Sequence, residues 1–114
     1  MQEIKFRAFD EIENRFWYFT LQEILERKMS YSGSWDYTIL KSKKDTYTGV
    51  KDYKCKEIFQ NDLVVFARNE KNKYLVVFNG GAYKLKNIKY PNENLHLLDD
   101  MQGFVKVIGN AYGV

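Results

Sequence analysis

One cysteine, one histidine and one proline are all that this chain of 114 residues carries of three chemically decisive residue types. The lone cysteine excludes an intramolecular disulfide framework. With a lone histidine beside it, no metal centre can be assembled from several Cys and His ligands. No run approaches the roughly 18 apolar residues that cross a bilayer as a helix, and no charged-then-apolar leader opens the sequence. The expectation is a protein of the cytoplasm with no membrane contact. Charge of one sign is also scarce: 18 Lys and Arg against 15 Asp and Glu leave a net charge of +3, too little to identify a polyanionic partner.

What is present is aromatic. Nine Tyr, eight Phe and two Trp make up 17% of the residues, a surplus that favours pleated, half-buried strands over helices. Hydrophobic residues at 45% and charged residues at 29% describe a globular chain, long enough to bury a core without a covalent or metal staple.

The segment from Glu3 to Asp10 alternates apolar and charged residues, which puts Ile4, Phe6 and Ala8 on one face of a strand and Lys5, Arg7 and Phe9 on the other. A polar connection through Asn14 and the aromatic run Arg15–Phe19 complete a hairpin. Thr20-Leu21-Gln22-Glu23 then matches a capping box, and Leu21, Ile24, Leu25 and Met29 at helical spacing predict a short helix ending before Ser30. Tyr31–Ser34 reads as a turn and Trp35–Leu40 as a strand. The polar run Lys41-Ser42-Lys43-Lys44-Asp45 marks a boundary between two lobes. Turn chemistry is expected from Tyr47 to Glu57 and again from Asn69 to Lys73. Strands are expected at Leu63–Ala67, Tyr74–Phe78, Ala82–Lys86 and Phe104–Tyr112. Asn79-Gly80-Gly81 predicts a tight hairpin turn, and residues 91–98 an irregular stretch or a single helical turn. No helix after Ile58 is long enough for a crossover, which argues for an antiparallel barrel or sandwich.

Few residues invite chemistry. His96 has no nucleophile or second ligand in its neighbourhood and reads as a half-exposed loop residue. Cys55, between Lys54 and Lys56, has cations that favour a thiolate, but lies in turn chemistry without a CxxC or paired His. Asn79-Gly80-Gly81 lacks the G-K-[ST] of a phosphate loop. Asp99-Asp100 reads as a polar loop or cap. The basic-aromatic stretch from Tyr83 to Tyr90 is the one binding candidate. Lys84 and Lys86 share a strand face, and with Lys89 and Tyr90 they combine cations and a stacking platform in the manner of single-strand nucleic-acid sites. Lys41, Lys43 and Lys44 could add to it. Edge strands carry lysine for another reason, to block edge-to-edge pairing, and that edge or solvated-face reading is favoured.

Three stretches in order carry a resemblance. Glu3-Ile4-Lys5-Phe6-Arg7-Ala8-Phe9-Asp10 comes first. Tyr47-Thr48-Gly49-Val50-Lys51-Asp52 follows, continued by Lys56-Glu57-Ile58-Phe59-Gln60-Asn61-Asp62-Leu63-Val64, and Val107-Ile108-Gly109-Asn110-Ala111-Tyr112 closes the chain. Together they resemble the YopX-like family of bacteriophage and prophage proteins. Cys55 and Asn61 stand where the family pattern has Gly; Asn suits a left-handed turn, Cys less so. The resemblance implies a small, mostly β, phage-encoded protein with no assigned catalysis and no catalytic residue to carry over.

The expected fold is mainly β: an N-terminal hairpin and short helix over residues 1–46, with an SH3-like barrel over 47–114, the two forming one compact unit. The expected function is that of a non-enzymatic phage accessory protein in the bacterial host cytoplasm, needing no metal or cofactor. It would associate with itself as a homo-oligomer or with another phage or host protein, because a core this small leaves aromatics for an interface. The alternative is a weak nucleic-acid-binding module using Lys84, Lys86, Lys89 and Tyr90.

Overall fold

The computed structural model describes residues 4–26 and 44–113, excepting the side chains of 24–26. The protein is mainly β, with curled sheets that include a half-barrel. Its chain divides into two compact units, residues 1–47 (with residue 114) and 48–113.

In the first unit, β1 (Lys5–Asp10) and β2 (Arg15–Thr20) form an antiparallel hairpin in the register Phe6↔Phe19 and Ala8↔Trp17, closing at Asp10↔Arg15. Asp10 shapes the turn. Its buried carboxylate accepts the backbone N–H groups of Ile12 and Glu13 and, on the other oxygen, the Trp17 indole N–H. Ala8 and Phe19 are the buried centre, with Phe6 and Trp17 packed on them and Phe6 stacked on Phe19. The alternation places Arg7 on the opposite face, yet Arg7 is buried. It pairs with buried Asp45 at 3.0 Å, and its guanidinium lies 4.4 Å from the Phe16 ring centre. A guanidinium tolerates burial when a carboxylate and an aromatic face replace its water.

The capping box forms as the sequence dictates. Thr20 N–H donates to Glu23 Oε1 at 3.0 Å and Glu23 N–H to Thr20 Oγ1 at 3.1 Å, opening α1 (Leu21–Glu26). The expected turn at 31–34, the strand at 35–40, Met29, Lys41 and Lys43 lie outside the described residues.

Strand β3 (Lys44–Lys51) corrects one expectation. Its first residues, Lys44 and Asp45, end the polar run and pair with Ala8 and Arg7 of β1. The stretch from Tyr47 to Lys51 is strand rather than turn, because Tyr47, Thr48 and Val50 are strand formers and the turn chemistry belongs only to residues 53–56. Gly49, at φ +84°, absorbs the local distortion, and Thr48 Oγ1 donates to the Ile58 carbonyl at 2.7 Å.

The second unit holds β4 (Glu57–Phe59), β5 (Asp62–Phe66), β6 (Asn69–Asn79), β7 (Ala82–Asn87), β8 (His96–Leu97) and β9 (Val105–Asn110). The latter half of β3 has β4 as its neighbour, and the other five strands form an antiparallel sheet in the order β8-β7-β6-β5-β9. Asn69–Lys73, expected as a turn, is the start of β6. Phe66 pairs with Asn69, so Ala67 and Arg68 make the whole connection, and the polar residues after it are simply the wet end of a long strand. The irregular stretch at 91–98 contains β8, whose His96 and Leu97 pair with Leu85 and Lys84. Asp99 and Asp100 open the 3₁₀ turn Asp99–Met101. Gly109 marks a bulge: Leu63 pairs with Gly109 but Val64 with Val107, leaving Ile108 as the extra residue.

The core comprises Val50, Ile58, Val64, Tyr74, Val76, Leu85, Leu98 and Val105. One carboxylate gathers the chain around it. Asp52 Oδ1 accepts the N–H groups of Lys54 and Lys56, both at 2.9 Å, and Oδ2 accepts that of Val107 at 3.1 Å. The Asp52 N–H donates to the Lys56 carbonyl and the Cys55 N–H to the Asp52 carbonyl. This is a three-residue hairpin loop whose last residue must take a left-handed conformation, and Cys55 does so at φ +66°.

Two substitutions test this loop by urea denaturation. Asp52→Asn turns an amide N–H₂ toward one of the donors and lowers stability by about 2 kcal/mol. Cys55→Gly relieves the left-handed strain and raises stability by about 1 kcal/mol, part of the relief being offset by the freer unfolded chain.

Candidate functional site

Strand register sorts the basic-aromatic stretch into two faces. Tyr83 and Leu85 point with Tyr74, Val76 and Phe78 toward the core side of the sheet, whereas Lys84 and Lys86 stand on the outer side opposite Val77 and Leu75. Of the favoured reading of these lysines, an edge strand or a solvated face, only the edge part needs correction. β7 lies inside the sheet between β6 and β8, so Lys84 has Val77 on one side and Leu97 on the other. Lys86 is exposed and Lys84 is half-buried.

Lys89 and Tyr90 do not continue that face. They sit in the bend after β7, which Asn87 organises. Its buried side-chain oxygen accepts the N–H groups of Lys89 and Tyr90, and its Nδ2 donates to Glu93 Oε2 at 3.3 Å. The Lys89 ammonium lies 5.5 Å from the Tyr90 ring centre. Of the three further lysines, Lys44 is the first residue of β3 in the other unit, and Lys41 and Lys43 are outside the described residues.

Between the outer face and the returning segment runs an open groove of about 280 Å³, lined by Val77, Phe78, Asn79, Lys86, Pro91, Glu93 and Leu95. It sets one cation and one carboxylate among apolar walls. Sequence reading missed Lys73, which it placed in a turn. The Ile88 N–H donates to the Lys73 carbonyl, so the β6–β7 ladder extends to that pair and Lys73 joins the side of Lys84 and Lys86. Ile88 beside it is about half exposed. Alternation would have found Lys73 had the run been read as strand.

The other candidates lie elsewhere in the second unit. His96 lies on the surface of β8 with its ring centre 6.0 Å from that of Phe66 and 6.1 Å from that of Tyr74, capping an aromatic pair at the end of the core. Cys55 is exposed at its turn. Among the described residues, no three His, Cys, Asp or Glu side chains are placed to hold a metal ion. No helix there is long and apolar enough to cross a membrane.

In the second unit Tyr53, Phe78, Tyr90 and Phe104 are left between 41% and 56% exposed. Phe78 stands at the tip of the β6–β7 hairpin, edge-on to Tyr83 at 5.1 Å.

The motifs that shape these elements, from the β1 alternation through the Asp52 loop to the Gly109 bulge, match one family model, YopX protein, over residues 5–113. The chain belongs to the YopX family. A search of curated proteins returns no match. In this YopX chain, the stretch from Tyr47 to Asp52 is the distorted end of β3 and the Asp52 loop that follows it. The segment from Lys56 to Val64 contains two strands and the left-handed Asn61 between them, at φ +69°.

Proposed function

We propose that this YopX protein is a non-catalytic, phage-encoded accessory protein of the host cytoplasm that acts by association, first of all with a second copy of itself. The observation that carries the reading is Phe78. It is 55% exposed, yet packed edge-on against the Tyr83 ring at the tip of a paired hairpin. A rigid aromatic loses little conformational entropy on burial, which makes it a good anchor for an interface. The second unit is read as an SH3-like barrel. The five-stranded antiparallel order and the Gly109 bulge support this, since a bulge supplies the sharp bend that a small barrel needs. Light scattering coupled to size exclusion tests the association: the wild type runs above 13.6 kDa and Phe78→Ser returns it to that mass. A wild type that stays at the monomer mass at high concentration removes self-association.

A second reading rests on the lysines. Lys73, Lys84 and Lys86 share the outer side of β6 and β7, a cationic strip suited to a nucleic-acid backbone, with Lys89 and Tyr90 close by in sequence. Here a gel shift on single-stranded DNA at low salt weakens steeply as salt rises, and the double substitution Lys84→Glu, Lys86→Glu abolishes it with the circular dichroism spectrum unchanged. No wild-type shift at low salt decides for association alone.

A further inference from the structure

The turn between β6 and β7 carries a reactive dipeptide. Asn79 is the chain's single asparagine followed by glycine. Asn79 pairs with Ala82, so Gly80 and Gly81 alone span the turn, at φ +62° and +83°. Both Asn79 and Gly80 are exposed. Among the described residues, neither the Asn79 side chain nor the Gly80 N–H has a hydrogen-bond partner. Three other asparagines are restrained. The side-chain oxygens of Asn69, Asn87 and Asn110 accept the N–H groups of Lys71, Lys89 and Tyr112, and each of these asparagines precedes a residue whose Cβ crowds its backbone nitrogen.

A second feature meets the dipeptide. Lys84 Nζ lies 3.2 Å from the point where a Cβ on Gly80 would stand, so an ammonium group sits beside Gly80. Negative charge arising at that amide would be stabilised by a positive charge already in place.

We propose that Asn79 is a self-modification site, converted to aspartate and isoaspartate by attack of the Gly80 nitrogen, with Lys84 promoting the attack. The Gly80 amide proton passes to solvent as its nitrogen bonds to Asn79 Cγ. The Cγ–Nδ2 bond then breaks as Nδ2 takes a proton from solvent, and the nitrogen leaves as ammonia. Water opens the resulting cyclic imide at either carbonyl. Nothing is oxidised or reduced, and water is the only co-reactant. The new carboxylate stands in the groove that Lys86 lines, lowering the positive charge of the outer face. The isoaspartate form also inserts a backbone carbon at the paired residue that leads into a two-residue turn.

Peptide mass spectrometry of protein held in warm, mildly alkaline buffer tests this, comparing wild type with Lys84→Gln, each folded and in urea. The expected result is Asp and isoAsp at position 79 in the folded wild type, formed about five-fold faster than in folded Lys84→Gln, with equal rates for the two chains in urea. The urea arm isolates the effect of the folded position of Lys84, and circular dichroism confirms that the variant keeps its fold. An unchanged Asn79 in the folded protein after the urea sample has converted overturns the proposal. Equal folded rates for the two chains overturn the role of Lys84.

Discussion

Asp52 is the point at which local and distant parts of the second unit are fastened together. Two of the backbone groups that its carboxylate accepts lie within the loop it opens, and the third belongs to Val107, which the chain reaches 55 residues later. The same loop sends the Tyr53 N–H to the Val105 carbonyl, so the outer side of β9 is met by backbone and carboxylate together. Strand β9 has β5 on its other side, and Val105 belongs to the core between them. A carboxylate with several backbone donors is strong enough to hold such a closure, because charge-assisted hydrogen bonds are about twice as strong as neutral ones. The loop then demands a left-handed residue three places on. Cys55 fills that place at the cost of backbone strain, where a glycine would bear none.

The first unit uses the same device with different partners. Asp10 holds the turn of its hairpin and the Trp17 ring, and Asp45 neutralises Arg7 on the face away from Ala8 and Phe19. Buried carboxylates thus act as organisers of turns and strand pairs in both units. No buried side-chain polar atom among the described residues lacks a partner, which is the condition under which such burial is tolerable.

The outer face of β6 and β7 owes its character to register. With Leu75 opposite Lys86 and Val77 opposite Lys84, cations and aliphatic side chains alternate across the two strands. The lysine pair and the Asn-Gly-Gly turn were both legible in the sequence, because strand alternation and positive-φ turns are local properties. Lys73 was not, since a polar run of Asn, Glu and Lys carries the composition of a turn. It becomes strand only because the short Ala67-Arg68 connection commits the following residues to pairing. Nor could composition show that Phe78 stays on the surface while Tyr74, on the same face of the same strand, is buried. That difference depends on how far each lies from the core.

The sequence by itself determined the mainly β architecture, the hairpins closed by Asn14 and Gly80-Gly81, the left-handed turn at Asn61, and the capped helix at Thr20. It also carried membership of the YopX family. Each of these follows from residue periodicity, from backbone conformations open to few residue types, or from short motifs in order. Tertiary structure alone decided that Arg7 and Asp45 are buried, that β7 is interior rather than an edge, and that Asp52 reaches Val107. These outcomes join residues far apart in the chain. Whether a charged side chain finds a partner and a dry environment is settled by what the fold brings beside it, and no local pattern encodes that.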